Sequence, residues 1–171
     1  RHPITDTYLE VHGRLVPDDR TVQIDHEAVW GRLAQVRLGG QLAWTVDPMD
    51  HILHICLHAS THHLFRMGPL PLYDLAALYS TYREEIDEDI LVARAREWGA
   101  ERATCLCLTL ARDLIGARVP EATLESLCGH SLSIALLADV RELVLFGSSR
   151  AEPPSPNVLA LWTAEGLRSR L

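Results

Sequence analysis

Lysine is absent from this 171-residue chain, and all 16 of its basic residues are arginine. Acidic residues number 23, so the formal net charge at pH 7 is −7. An acidic chain repels the phosphate backbone of nucleic acids unless it gathers its cations in one place, and no arginine block of that kind occurs. The composition therefore argues against binding of duplex nucleic acid. Acidity with arginine in place of lysine is typical of a GC-rich bacterial genome.

Long apolar runs and a basic leader are lacking too. Apolar residues make up 47% of the chain, which is enough for a packed core and argues against global disorder. No apolar run reaches the length that spans a bilayer, and no basic-then-apolar segment opens the chain. We therefore expect a cytoplasmic protein without membrane association. The sequence opens with Arg1 and not with methionine, so we allow for a missing upstream part.

The four cysteines form no Cys-x-x-Cys pair. On a helix, Cys105 and Cys107 would project about 200° apart, so they could not bind one metal ion together. We interpret all four cysteines, including Cys56 and Cys128, as small, buried, reduced residues of a cytosolic protein.

The N-terminal part of the chain carries the strand signals. Residues 4–15 alternate polar and apolar side chains, which predicts a strand, and residues 21–24 could form a short returning strand. Residues 25–36 show helical spacing after an acidic capping residue. The pair Gly39-Gly40 lies between two apolar runs, which predicts a hairpin.

From Asp47 onward the pattern is almost entirely helical. Asp47 and Pro48 are typical of a helix cap and a first helical residue. The predicted fold class is α+β and predominantly helical, with a small β-strand and hairpin element followed by a helical bundle. We expect a β-containing region at 1–46, a helical domain at 47–147, and a Pro/Ser-rich linker with a C-terminal helix at 148–171.

Five of the nine histidines lie within residues 50–65. At 100° per residue, four of them share one helical stripe about 80° wide, namely His51, His54, His58 and His62. His63 is expected to point elsewhere. His58 and His62 have the i, i+4 spacing with which two imidazoles bind one metal ion, but Ala59 stands where a zinc protease has its glutamate. A histidine-based metal-binding protein is therefore our third hypothesis, beside the plainer interpretation as polar residues on a helix face.

A series of motifs over residues 5–122 resembles the uncharacterised bacterial nucleotidyltransferase family, a branch of the DNA polymerase beta-like nucleotidyltransferase superfamily. The series comprises an acid-x-His strand end, a helix with Asp and a His-x-x-x-His pair, an Asp-Leu-Ala helix start, and an Ala-Arg helix followed by a helix that ends in Gly and Pro. The matching positions are Glu10, His12, Asp50, His58, His62, Asp74 and residues 93–120. Ile52 replaces the first leucine of the family pattern.

This resemblance implies transfer of a nucleotidyl or phosphoryl group from a nucleoside triphosphate to a small-molecule or peptide acceptor, with Mg²⁺ as the cofactor. Glu10 corresponds to the third carboxylate of the family's site and is the expected catalytic and metal-binding residue. The other site positions are expected to bind the nucleotide or acceptor, or to support the site: His12, His58, His62 and Asp74. Asp74 in particular could clamp the His58 and His62 imidazoles.

Two elements of the family pattern are missing. The glycine-rich phosphate loop and the paired aspartates should precede Glu10, but only nine residues do, and Asp6 is the only acid among them. We therefore expect the chain as given to hold an incomplete site, and its status as an enzyme stays open. The alternative hypothesis is a non-catalytic helical interaction module that forms homo-oligomers through its last helix, residues 158–171.

Overall fold

The computed structural model describes residues 11–16, 22–129 and 134–147. Within these ranges helices predominate and the sheet is a two-stranded antiparallel hairpin, which confirms the predicted α+β class. Glu10 and the predicted C-terminal helix lie outside them. In chain order, the elements are α1 (His26–Gly31), β1 (Ala34–Leu38), β2 (Gln41–Thr45), α2 (Pro48–Leu57), a first π-helical turn (His58–His62), α3 (Leu70–Thr81), α4 (Glu88–Trp98), α5 (Glu101–Leu110), a second π-helical turn (Ala111–Ile115), α6 (Glu121–Cys128) and α7 (Ile134–Phe146).

The N-terminal region differs from the predicted pattern. Residues 11–15 and 22–24, the described parts of the two predicted strands, are irregular. The helix predicted over 25–36 begins as expected, with Asp25 accepting a hydrogen bond from the Ala28 amide, but it ends at Gly31. The prediction of helix beyond that point is wrong, because the backbone there makes its hydrogen bonds in the hairpin ladder instead.

The predicted hairpin forms around Gly39 and Gly40. Leu38 pairs with Gln41, and the two intervening glycines have φ of 55° and 84°, a left-handed conformation that glycine adopts without steric cost. Leu42 and Trp44 on the second strand remain exposed, so the hairpin contributes little to the core.

A buried ion cluster fixes the start of α2. Asp47 caps the helix by accepting from the amides of Met49 and Asp50, as predicted. The fully buried Asp50 carboxylate accepts from Nε and Nη2 of Arg32 at 3.1 and 3.2 Å and from Nη1 of Arg94 at 2.8 Å. Burial raises the pKa of Asp50, and the charges of Arg94 and Arg32 oppose that rise. The cluster joins the end of α1, the start of α2 and the middle of α4.

Helix α5 forms the centre of the core. All of its residues from Ala103 to Leu110 are buried, and the helix packs against α2 and α6. Cys107 faces α2, with its Sγ 3.6 Å from the carbonyl oxygen of Cys56, whereas Cys105 forms a disulfide with Cys128 of α6. The predicted divergence of Cys105 and Cys107 is confirmed. The interpretation of all four cysteines as reduced is wrong for Cys105 and Cys128, because the fold brings the start of α5 against the end of α6.

We expect Asp50→Asn to lower the free energy of unfolding by about 3 kcal/mol, because it removes the buried counter-charge of Arg32 and leaves Arg94 with Asp47 as its remaining partner. Urea denaturation at pH 7 measures the change. Asp87→Asn is the matched control, since Asp87 caps α4 from an exposed position and asparagine caps equally well. Equal losses in the two variants would contradict a special role for the buried cluster.

Reduction of the Cys105–Cys128 disulfide should lower the free energy of unfolding by about 3 kcal/mol, because it frees a loop in the unfolded chain that the crosslink otherwise closes. The measurement is thermal unfolding with and without dithiothreitol. A Cys105→Ala and Cys128→Ala double variant is the control and should show no effect of the reductant. A reductant effect of equal size in both proteins would argue against this crosslink.

Candidate functional site

The histidine-rich helix changes its winding at its end. Over His58–His62 the backbone is π-helical, and the His63 amide donates to the His58 carbonyl at 3.0 Å, five residues back. Two hydroxyl groups bond back to the preceding helical turn at this point. Ser60 Oγ donates to the Cys56 carbonyl and Thr61 Oγ1 to the Leu57 carbonyl, both at 2.7 Å. Serine and threonine hydroxyls that bond back to carbonyls four residues earlier often bend a helix, and the wider turn coincides with this pair.

The wider turn brings His63 against His58. Their Nε2 atoms are 2.8 Å apart and their rings meet edge to face, with centroids 4.4 Å apart. The expectation that His63 points elsewhere is wrong, because it assumed the α-helical rotation of 100° per residue. His62 stacks on His58 at 5.0 Å, and His54 lies 5.4 Å from His58 on the other side. These four residues are called the histidine cluster below.

Two residues with a left-handed backbone conformation follow the histidine cluster. Leu64 and Phe65 have φ of 49° and 57°, a left-handed conformation that costs non-glycine residues about 1–3 kcal/mol each. The Phe65 ring is buried, and its amide donates to the Ala59 carbonyl at 2.8 Å. Burial of the aromatic ring offsets the strain and turns the chain towards α3.

His54 connects the cluster to the N-terminal segment. The pKa of His54 is lowered to about 4, mainly by burial and also by the nearby imidazoles of His58, His51 and His12, while a hydrogen bond with the Leu15 backbone opposes the shift. His54 is therefore neutral at pH 7. Its Nδ1 is buried and has no hydrogen-bond partner within the structure as described.

A cavity of about 450 Å³ lies between the histidine cluster, the segment 12–15 and the end of α1. Its lining adds His12, Arg14, Leu15 and Trp30 to the four imidazoles. The predicted residues His12, His58 and His62 are thus brought together. Arg14 and Trp30 were not predicted as site residues. Arg14 follows His12 by two positions in an alternating segment, which was an available signal, but nothing in the sequence marked Trp30.

Asp74 does not contact the His58 and His62 pair through a hydrogen bond in the described part of the chain. Asp74 is exposed on α3. Burial lowers the pKa of His51, and the negative charge of Asp74 opposes that shift. The expected clamp by Asp74 is therefore not formed among the described residues. Asp74 instead lines a second cavity, together with His51, His54 and His58.

The described lining of the first cavity does not fit Mg²⁺ by itself. Mg²⁺ prefers oxygen ligands, whereas this lining offers imidazole and guanidinium nitrogens and no carboxylate. Nor do the described ranges contain a group of three or more His, Cys, Asp and Glu side chains that could hold a metal ion. Glu10, the predicted metal ligand, lies outside those ranges.

The comparisons with known proteins gave one match. Residues 3–116 match the sequence model of a family described as uncharacterised nucleotidyltransferase. No significant match was found among curated proteins or among solved structures. None of the described helices is both long and apolar enough to cross a membrane.

The neutral state of buried His54 should make stability depend on pH. Unfolded His54 takes up a proton as the pH falls below about 6.5, whereas the folded residue stays neutral down to about pH 4. The unfolded chain then binds more protons, so the free energy of unfolding falls between these values, by at most about 3 kcal/mol from this residue.

We expect His54→Gln to flatten that decline, measured by urea denaturation at pH 7, 5.5 and 4.5. Titration of the His54 ring proton by NMR provides an independent check on the wild-type chain. A midpoint near 6.5 for His54, with the same pH slope in both proteins, would contradict the assignment.

Proposed function

The chain belongs to the family of uncharacterised nucleotidyltransferases, and we propose that it binds a nucleoside triphosphate whose nucleotidyl group is transferred to a small-molecule or peptide acceptor. The observation that carries this proposal is the convergence of Arg14, Trp30 and the imidazoles of His12 and the histidine cluster on one cavity.

Each of these groups suits one part of a nucleotide. The guanidinium of Arg14 presents a planar fork of N–H donors that matches two phosphate oxygens. Imidazoles add further N–H donors to phosphate, and they hydrogen-bond without repelling an anion when they are neutral. The Trp30 ring is half exposed at the rim, where it offers an apolar face on which a nucleobase can stack. We therefore assign the phosphates to the Arg14 side of the cavity and the base to Trp30.

Nucleotidyl transfer needs such an arrangement because negative charge builds on the departing pyrophosphate. Donors that are already positioned stabilise this charge without reorganising during the reaction. Hydrogen bonding between His58 and His63, and between His54 and Leu15, fixes imidazoles in place before any ligand arrives. Mg²⁺, the cofactor that the family suggests, would require carboxylate ligands such as Glu10. Glu10 therefore remains our proposed catalytic carboxylate, two residues before His12 in the sequence.

We expect ATP to bind the protein in isothermal titration calorimetry, with adenosine binding at least tenfold more weakly because it lacks the phosphates. Arg14→Gln should weaken ATP binding about tenfold or more, since a charged hydrogen bond is lost. Titrations with and without Mg²⁺ separate direct contacts from contacts that the metal bridges.

Arg66→Gln is the matched control, because Arg66 is an exposed arginine that does not line the cavity. Its ATP affinity should equal that of the wild type. If ATP failed to bind, or if both arginine variants lost affinity equally, the proposed nucleotide site would be wrong.

A further inference from the structure

A second cavity shares His54 and His58 with the first. It has a volume of about 600 Å³, which is within the range of small-molecule sites. Its walls are the outward face of α2 with the first π-helical turn, the facing side of α3, and Met67 between them. It is called the Asp74 cleft below.

The Asp74 cleft differs from the first cavity in charge. Its described lining contains one carboxylate, that of Asp74, and no guanidinium. Three imidazoles also line it, of which His54 is neutral at pH 7 and His51 has a pKa that burial lowers from an ordinary value of 6.5. The cleft thus presents a negative charge on the exposed side of α3, where the nearest histidines do not neutralise it.

Apolar side chains form much of the remaining surface of the cleft. Ile55 of α2 and Leu78 of α3 contribute to it, together with Ala59, Met67, Pro71 and Ala77. Thr81 adds a hydroxyl to the lining, and Tyr82 adds a partly buried aromatic ring. A ligand that fits these walls has an apolar body and a positively charged end.

We propose that the Asp74 cleft binds a small organic ammonium compound, with its charged amine at Asp74 and its apolar body between Ile55 and Leu78. A carboxylate beside an apolar wall discriminates by charge among ligands of equal shape, because only the cation gains the ion pair.

The cleft shares part of its wall with the nucleotide cavity. His54 and His58 line both cavities, so these two imidazoles separate the ammonium site from the proposed nucleotide site. Direct transfer requires the reacting atoms to lie about 3–3.5 Å apart in one continuous space, so we do not assign the ammonium compound as the acceptor. Its binding to the Asp74 cleft is independent of the proposed function.

The test uses three probes of nearly equal shape: 2-phenylethylamine, 2-phenylethanol and phenylacetate. Binding to the full chain at pH 7.5 is followed by NMR of backbone amides. The amine should bind about fivefold more tightly than the neutral alcohol, as expected for an exposed ion pair, and the acid more weakly still. The largest shifts should fall on Ala77, Leu78 and Thr81.

Asp74→Asn should reduce the affinity for the amine to that for the alcohol. Glu97→Gln is the matched control, because it removes an exposed carboxylate of α4 that does not line the cleft, and it should leave all three affinities unchanged. Equal binding of the three probes, shifts located outside the cleft, or an unchanged amine affinity in Asp74→Asn would overturn the proposal.

Arg14→Gln separates this proposal from the proposed function. It should weaken ATP binding and leave the amine affinity unchanged. Amine binding without any ATP binding would support the cleft and reject the nucleotide site, and ATP binding without amine binding would do the reverse.

Discussion

The buried carboxylate of Asp50 is the constraint on which the rest of the structure depends. A charge without access to water requires counter-charges in fixed positions, and here they come from Arg32 after α1 and from Arg94 in α4. Such a cluster adds little net stability over an apolar contact of the same volume, but it leaves few alternative arrangements of its partners. Since Asp50 lies in the first turn of α2, the cluster determines how that helix is rotated. The face that the histidines present follows from this rotation.

One change in helix winding shapes the wall that the two cavities share. The hydroxyls of Ser60 and Thr61 bond back to carbonyls of the last α-helical turn, where the wider turn begins. This turn gathers His58, His62 and His63 into mutual contact, so the imidazoles form a wall and not a line along the helix. In one cavity imidazoles are accompanied by an arginine and a tryptophan, and in the other by a carboxylate and apolar side chains.

The sequence predicted the features that depend on neighbouring residues. The cap at Asp47, the glycine-pair hairpin and the helical bundle follow from local preferences of the chain, and the structure has all three. Features that depend on distant partners were missed. Nothing near Cys105 shows that α6 brings Cys128 to it, and nothing near Asp50 shows that Arg94 will bind it. Of the candidate site, the convergence of three predicted histidines is present, whereas Glu10 lies outside the described residues.

Because of the π-helical turn, the contacts among the imidazoles depend on the number of residues in this segment. His63 reaches His58 only because the turn contains one residue more than an α-helical turn. A chain shorter by one residue between them would restore the α-helical interval, with His63 four positions after His58 and the next turn rotated with it. A single insertion or deletion here would thus rebuild the wall between the two cavities while leaving every imidazole in the protein. Removing or adding one residue would therefore change the chemistry of this site, as replacing a side chain does at other sites.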